Sequence, residues 1–263
     1  MNKIIKYIVT VLLVAVALAS FILFEVIHVK LVEDAVTNYY LCGILDHLSL
    51  CILILWLSYV LGSFSSLRFN KVPYKKLLWC LPCLLVVIAN FPIGALISGQ
   101  VYFIRSDIIA LYILYVLFVA ILEELVFRGF LLFLLLDLFR NQKYKYFLAA
   151  LFSSLIFALF HLTNLFIGMD IISVLLQMVY TFLIGGMLAI VMLKVKSIWP
   201  CIIIHALFDF GGLLTPNIAA GDPWDVTFWI LTISCGILCA GHMIFSLINL
   251  EKKNVSWSVI SYL

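Results

Sequence analysis

Apolar runs of about 17–25 residues, each long enough to cross a bilayer as a helix, follow one another along this chain with short polar breaks between them. Eight runs stand out, at about 4–28, 42–64, 77–98, 108–136, 146–168, 171–193, 198–214 and 226–250. The seventh is short, and the fourth is long enough to tilt or project. The pattern predicts an all-α polytopic membrane helix bundle of about eight transmembrane helices, because backbone polar groups in lipid must be satisfied within the spanning element. One run differs in kind: Glu123, Glu124 and Arg128 lie inside the fourth.

Composition supports a membrane protein. The chain of 263 residues is 66% hydrophobic and 11% charged, against roughly half apolar and a quarter charged in soluble domains. Charge placement then sets the orientation. With the N-terminus inside, the inner segments hold Lys3 and Lys6, Arg68 to Lys76, Arg140 to Lys145, Lys194 and Lys196, and Lys252 and Lys253. Only Lys30 and Arg105 fall outside, and Arg128 is intramembrane. That bias is the positive-inside pattern and predicts that both termini are cytoplasmic. The outer segments carry Glu33, Asp34 and Asp46, then Asp170, then Asp222 and Asp225. The stretch Lys30 to His47 reads as an interfacial helix. Met1 to Val29 reads as a retained first span rather than a cleaved signal, since its apolar run is too long.

The seven cysteines lie mostly in apolar runs and suggest no disulfide framework. Trp79-Cys80-Leu81-Pro82-Cys83 imitates a redox motif but lacks its βαβ context. Asn90 and Gln177 read as interhelical hydrogen bonders, His242 as a packing residue, and Gly185-Gly186 as a site of close helix approach. Topology accounts for the lysine-rich loops, so no nucleic-acid partner is expected.

The intramembrane polar residues carry the chemistry. An ionisable group at mid-membrane costs about 2.5–3.5 kcal/mol on insertion scales and usually marks function. Glu124 and Arg128, four apart, share a helix face in the favourable order. Glu123 points elsewhere, which leaves one carboxylate paired and one free for chemistry. His161 lies in the fifth run. His205 and Asp209, four apart in the seventh, share a face. At about 1.5 Å per residue, these positions fall within one bilayer core about 30 Å thick and can meet in one cavity. A carboxylate with a histidine can activate water. A second histidine can stabilise an oxyanion. Alternatively, Glu123, His161 and His205 can hold a divalent metal that acidifies water. Either route leads to amide hydrolysis.

In order, Glu123-Glu124-x-x-x-Arg128, Phe157-x-x-x-His161 and His205-x-x-x-Asp209 resemble the three motifs of the CAAX-protease and bacteriocin-processing (Abi) family of intramembrane proteases. That family includes the type II prenyl-protein endopeptidases. Phe127-Arg128-Gly129, Gly185-Gly186 and Ser197-Ile198-Trp199-Pro200 agree with it, and the resemblance covers roughly 108–214. It divides the chain into N-terminal helices without a recognised motif (1–105), a protease core (106–250) and a short cytoplasmic tail (251–263). It implies a multi-pass cell-membrane endopeptidase, expected in a bacterial plasma membrane, acting on a peptide or membrane-protein substrate such as a signalling peptide, a bacteriocin leader or a CAAX-like tail. Glu123 and His161 would activate water, His205 and Asp209 would line the oxyanion or metal site, and Glu124, Arg128 and Phe157 would support them. Zinc or another divalent metal, or a metal-free glutamate mechanism, is implied. Relatives often carry asparagine where this chain has Asp209, so Asp209 is protonated, orients His205 or binds metal. The competing readings are a non-catalytic bacteriocin-immunity or scaffold protein and an ion-coupled transporter.

Overall fold

The computed structural model describes residues 3–60, 64–72, 74–166 and 168–253. Helix α1 (Lys3–Phe21) runs into a π-helical turn, Ile22–Val26, and returns as α2 (Ala35–Val60). Trp56 Nε1 of α2 donates to Thr10 Oγ1 of α1 at 2.8 Å, pinning the pair. The interfacial helix expected over Lys30 to His47 is instead the start of α2. Asp46 therefore lies within that helix and is buried, not in an outer segment.

The third run does not form one continuous helix. A 3-10 helix (Tyr74–Cys80) leads into α3 (Leu81–Asn90), which stops at Phe91. Phe91 precedes Pro92, whose ring pushes its neighbour out of the helical region, and Phe91 is extended at φ −80° and ψ 137°. The chain resumes as a short α4 (Ile93–Ile97) and a strand, β1 (Val101–Phe103).

The fourth run is continuous from Ser106 to Leu138, 33 residues. It comprises α5 (Ile109–Glu124), a π-helix (Leu125–Leu131) and α6 (Leu132–Leu138). After α7 (Lys145–Phe160) and a 3-10 turn (His161–Leu165) come α8 (Ile171–Val195) and α9 (Trp199–Gly212). A short turn, α10 (Leu214–Asn217), and β2 (Ala219–Gly221) precede α11 (Val226–Lys253). The tail beyond Lys253 lies outside the described residues. Five segments among the described residues are long and apolar enough to cross a membrane, and Ile8–Phe24 and Trp199–Gly212 are shorter apolar helices. The chain is an all-α multi-pass membrane protein.

Its core follows from the small residues of α8. From Ile184 to Val195 every residue but Lys194 is buried. Gly185 lies against α7, and Gly186 meets Met243 of α11, where a Cβ would come within 2.4 Å of Met243 Cε. The first half of α8, up to Leu183, leaves most of its apolar side chains exposed. At the other end, β1 and β2 pair antiparallel with Val101 opposite Gly221. Gly221 has φ +117°, and a Cβ there would collide with the Gln100 carbonyl.

Candidate active site

Glu123 and Glu124 are the last two residues of α5, immediately before the π-helix. The N–H of Leu132 bonds the Phe127 carbonyl five residues back. Ser153 Oγ of α7 donates to the same carbonyl at 3.1 Å. Such i→i+5 segments are rare and concentrate at functional sites. This one turns Arg128 inward while leaving it in reach of Glu124.

Arg128 Nη1 donates to Glu124 Oε1 at 2.7 Å, and the side chains are 1% and 0% exposed. The guanidinium lies 4.5 Å from the Phe157 ring centre, a cation–π contact in dry surroundings. Gly185 makes room for it: a Cβ there would lie 3.2 Å from both Arg128 Nη2 and the Phe157 ring.

His205 closes the arrangement from α9. Its Nδ1 is 2.8 Å from Glu124 Oε1, the oxygen that Arg128 also uses. A carboxylate oxygen accepts, so Nδ1 carries the proton in this contact. Nε2 then faces Glu123 Oε2 at 3.4 Å and Asp209 Oδ2 at 3.5 Å. Both distances are long for a strong hydrogen bond. Glu123 and Asp209 keep 18% and 17% of their side chains exposed. The two adjacent glutamates thus differ sharply: Glu124 is sealed by a cation and an imidazole, and Glu123 opens to the accessible side.

His161 is held by its own helix. It begins the 3-10 turn at the end of α7, and Nδ1 bonds the Phe157 carbonyl at 3.0 Å. Its ring lies 5.0 Å from that of Phe157, and the Phe157 ring lies 5.8 Å from that of His205, both edge-on. Among the described residues no hydrogen bond or ion pair joins His161 to Glu123. His161 is held by the last turn of its own helix, and the histidine beside Glu123 is His205.

Two further groups set the end of α9. Tyr112 Oη donates to the Phe210 carbonyl at 2.8 Å. Asn90 Nδ2 donates to the Phe208 carbonyl at 2.8 Å. Asn90 is legible in sequence as a polar residue within a span. Tyr112 is not, being one aromatic among many in an apolar run.

The sequence offered Glu123, His161 and His205 as a possible metal set. Zinc needs its ligands to converge on one point about 2 Å from each. Among the described residues no three His, Cys, Asp or Glu side chains are so grouped. No step below is routed through a metal ion.

The description Rce1-like, type II CAAX prenyl endopeptidase, matches residues 105–211. Those residues form an Rce1-like domain. It spans α5 to α9 and holds Glu123, Glu124, Arg128, Phe157, His161, His205 and Asp209. No curated protein and no solved structure matches the chain. An Rce1-like domain supports an intramembrane endopeptidase acting on a peptide or protein in a membrane setting.

Proposed function

We propose that the chain hydrolyses a peptide bond in a membrane-associated peptide or protein, with Glu123 as general base. The contrast between Glu123 and Glu124 carries this reading. Glu124 Oε1 is held by both Arg128 and His205, whereas Glu123 stands next to it, partly exposed, with Oε2 3.4 Å from His205 Nε2.

In this reading Glu123 takes a proton from a water molecule as the water oxygen attacks the scissile carbonyl. The carbonyl oxygen becomes an oxyanion. His205, protonated at Nε2, hydrogen-bonds it while Nδ1–H stays on Glu124. Asp209 orients the His205 ring from one turn further along α9. When the C–N bond breaks, the proton on Glu123 passes to the leaving nitrogen. His161 and Phe157 are positioning residues, since the Phe157 ring touches His161, His205 and Arg128 together.

The substrate classes to test are a secreted signalling peptide, a bacteriocin leader and a CAAX-like tail. Purified protein in nanodiscs is incubated with membrane-anchored peptides of each class, and products are followed by mass spectrometry. Cleavage by wild type and none by Glu123→Gln, at equal folded abundance, is the expected result. Equal product from Glu123→Gln overturns the reading and turns attention to a binding role.

A further inference from the structure

Helix α9, which carries His205 and Asp209, is bonded to its neighbours at three places. The first is the contact of His205 Nδ1 with Glu124 of α5. The second lies toward the other end of α5. There Tyr112 Oη donates to the Phe210 carbonyl at 2.8 Å and stands 3.4 Å from the Asp209 carbonyl. At 1.5 Å per residue, Tyr112 and Glu124 are about 18 Å apart along α5. Two contacts on one helix leave the last turn of α9 free to roll about the line that joins them.

The third contact comes from a different helix. Asn90 is the last residue of α3, and its Nδ2 donates to the Phe208 carbonyl at 2.8 Å. Beside it, the Phe91 ring lies 5.8 Å from that of Phe210, and the Tyr112 ring lies 5.3 Å from it. The carbonyls held by Asn90 and Tyr112 therefore flank Asp209. With His205 fixed by Glu124, these contacts set where the next turn presents its carboxylate. Asp209 Oδ2 stands 3.5 Å from His205 Nε2, at the edge of hydrogen-bond range, so a small twist of this turn makes or loses the contact.

The sequence of α9 is shaped to this approach. The helix ends Asp209-Phe210-Gly211-Gly212. A Cβ at Gly211 would come within 2.7 Å of the Phe91 ring, and one at Gly212 within 2.6 Å of Asn90 Nδ2. Glycine is the weakest helix former after proline, so two in succession loosen the turn that carries Asp209, and α3 and α5 hold it from outside. End-capping alone does not account for Asn90. Phe208 lies one turn inside α9, where α-helical geometry supplies the Gly212 N–H to its carbonyl, and Asn90 adds a second donor.

We propose that Asn90 and Tyr112 are positioning residues that clamp the turn carrying Asp209 against His205, an inference that rests on the hydrolase reading above. Asn90 precedes residue 105, where the Rce1-like match begins, so the N-terminal helices complete the site rather than only flank it.

The test uses the full-length protein in nanodiscs. Asn90→Leu keeps the bulk and loses the donor; Tyr112→Phe keeps the ring and loses the hydroxyl. Single-turnover cleavage of a membrane-anchored peptide reads rate and apparent affinity separately. Asn90→Leu is expected to lower the rate by about tenfold, short of the roughly 10²-fold that a full ångström of misplacement can cost, with affinity unchanged. Tyr112→Phe should act in the same direction, and it carries the test if Asn90→Leu folds poorly. In an Asp209→Ala background neither substitution should slow the rate further, because residues acting through one group are non-additive. Hydrogen exchange at Phe210 to Leu213, followed by mass spectrometry, should rise in both variants while Trp199 to Ile204 stays protected. An unchanged rate in both variants, an equal rate loss with and without Asp209, or unchanged exchange overturns the proposal. A wild type that cleaves no peptide defeats the hydrolase reading instead, and the exchange comparison then decides the clamp by itself.

Discussion

Two arginines in this chain meet carboxylates in opposite settings. Arg105 makes four carboxylate hydrogen bonds, two to Asp34 at 3.0 and 3.1 Å and two to Asp107 at 3.1 Å. Arg128 makes one, to Glu124. By bond count Arg105 is the better anchored. By burial the order reverses, because the Arg105 cluster is in water and the Arg128 pair is sealed. What ranks the two pairs is what remains when a partner is lost. An exposed carboxylate is rehydrated; a buried one stays charged and uncompensated. The comparison explains why a membrane span can hold Glu123 and Asp209 at all. The Arg128–Glu124–His205 arrangement fixes a polar floor on which the two open carboxylates stand.

The sharpest way to break this comparison is to remove the buried cation. Arg128→Met is expected to destabilise the protein by about 3–5 kcal/mol, the range for breaking a buried pair. Thermal unfolding in detergent reads the loss. Adding Glu124→Leu should restore part of it, because no unpaired charge then remains. Next comes His205→Ala, expected to lower turnover by about 10²–10³-fold if its Nε2 holds the oxyanion. Steady-state kinetics should show the loss in kcat more than in KM.

Smaller effects sharpen the picture. Gly185→Ala places a methyl group 3.2 Å from Arg128 Nη2 and the Phe157 ring. Neither group can retreat freely, so a destabilisation of about 1–3 kcal/mol is expected, the range for overpacking. Arg105→Gln should change the melting temperature least. Arg105 and Thr37 hold the Asp34 carboxyl well below the usual carboxylate range. A depressed folded value gives stability that is present above the unfolded pKa of about 3.9 and is lost as pH falls through the folded value. The effect of Arg105→Gln should therefore be the same at pH 6 and pH 8.

Much of the site was legible because charge is rare in this chain. Glu124 with Arg128, and His205 with Asp209, could be placed on common faces by spacing alone, and the structure sets both pairs beside Glu123. The 3-10 turn at His161 was not legible. Whether a helix continues through a histidine or tightens to 3-10 there depends on which carbonyl the ring finds, and spacing does not encode that. The π-helix was hidden for a similar reason: Leu125–Leu131 reads as ordinary apolar helix, and its carbonyl partner, Ser153, comes from another span. The early start of α2 was obscured because Asp34 and Asp46 look like loop residues, although Asp46 is buried within the helix. Pro92, by contrast, announced the break after α3 in its dipeptide with Phe91, although hydropathy averaged over it.

The central claim is that adjacent glutamates do different jobs, and it is tested most directly by measuring Glu123→Gln and Glu124→Gln side by side for melting temperature and peptide turnover. Glu123→Gln should melt close to wild type and lose turnover by about 10²–10⁴-fold, while Glu124→Gln should melt markedly lower. Full turnover in Glu123→Gln, or a large fall in its stability with Glu124→Gln unaffected, would contradict the account.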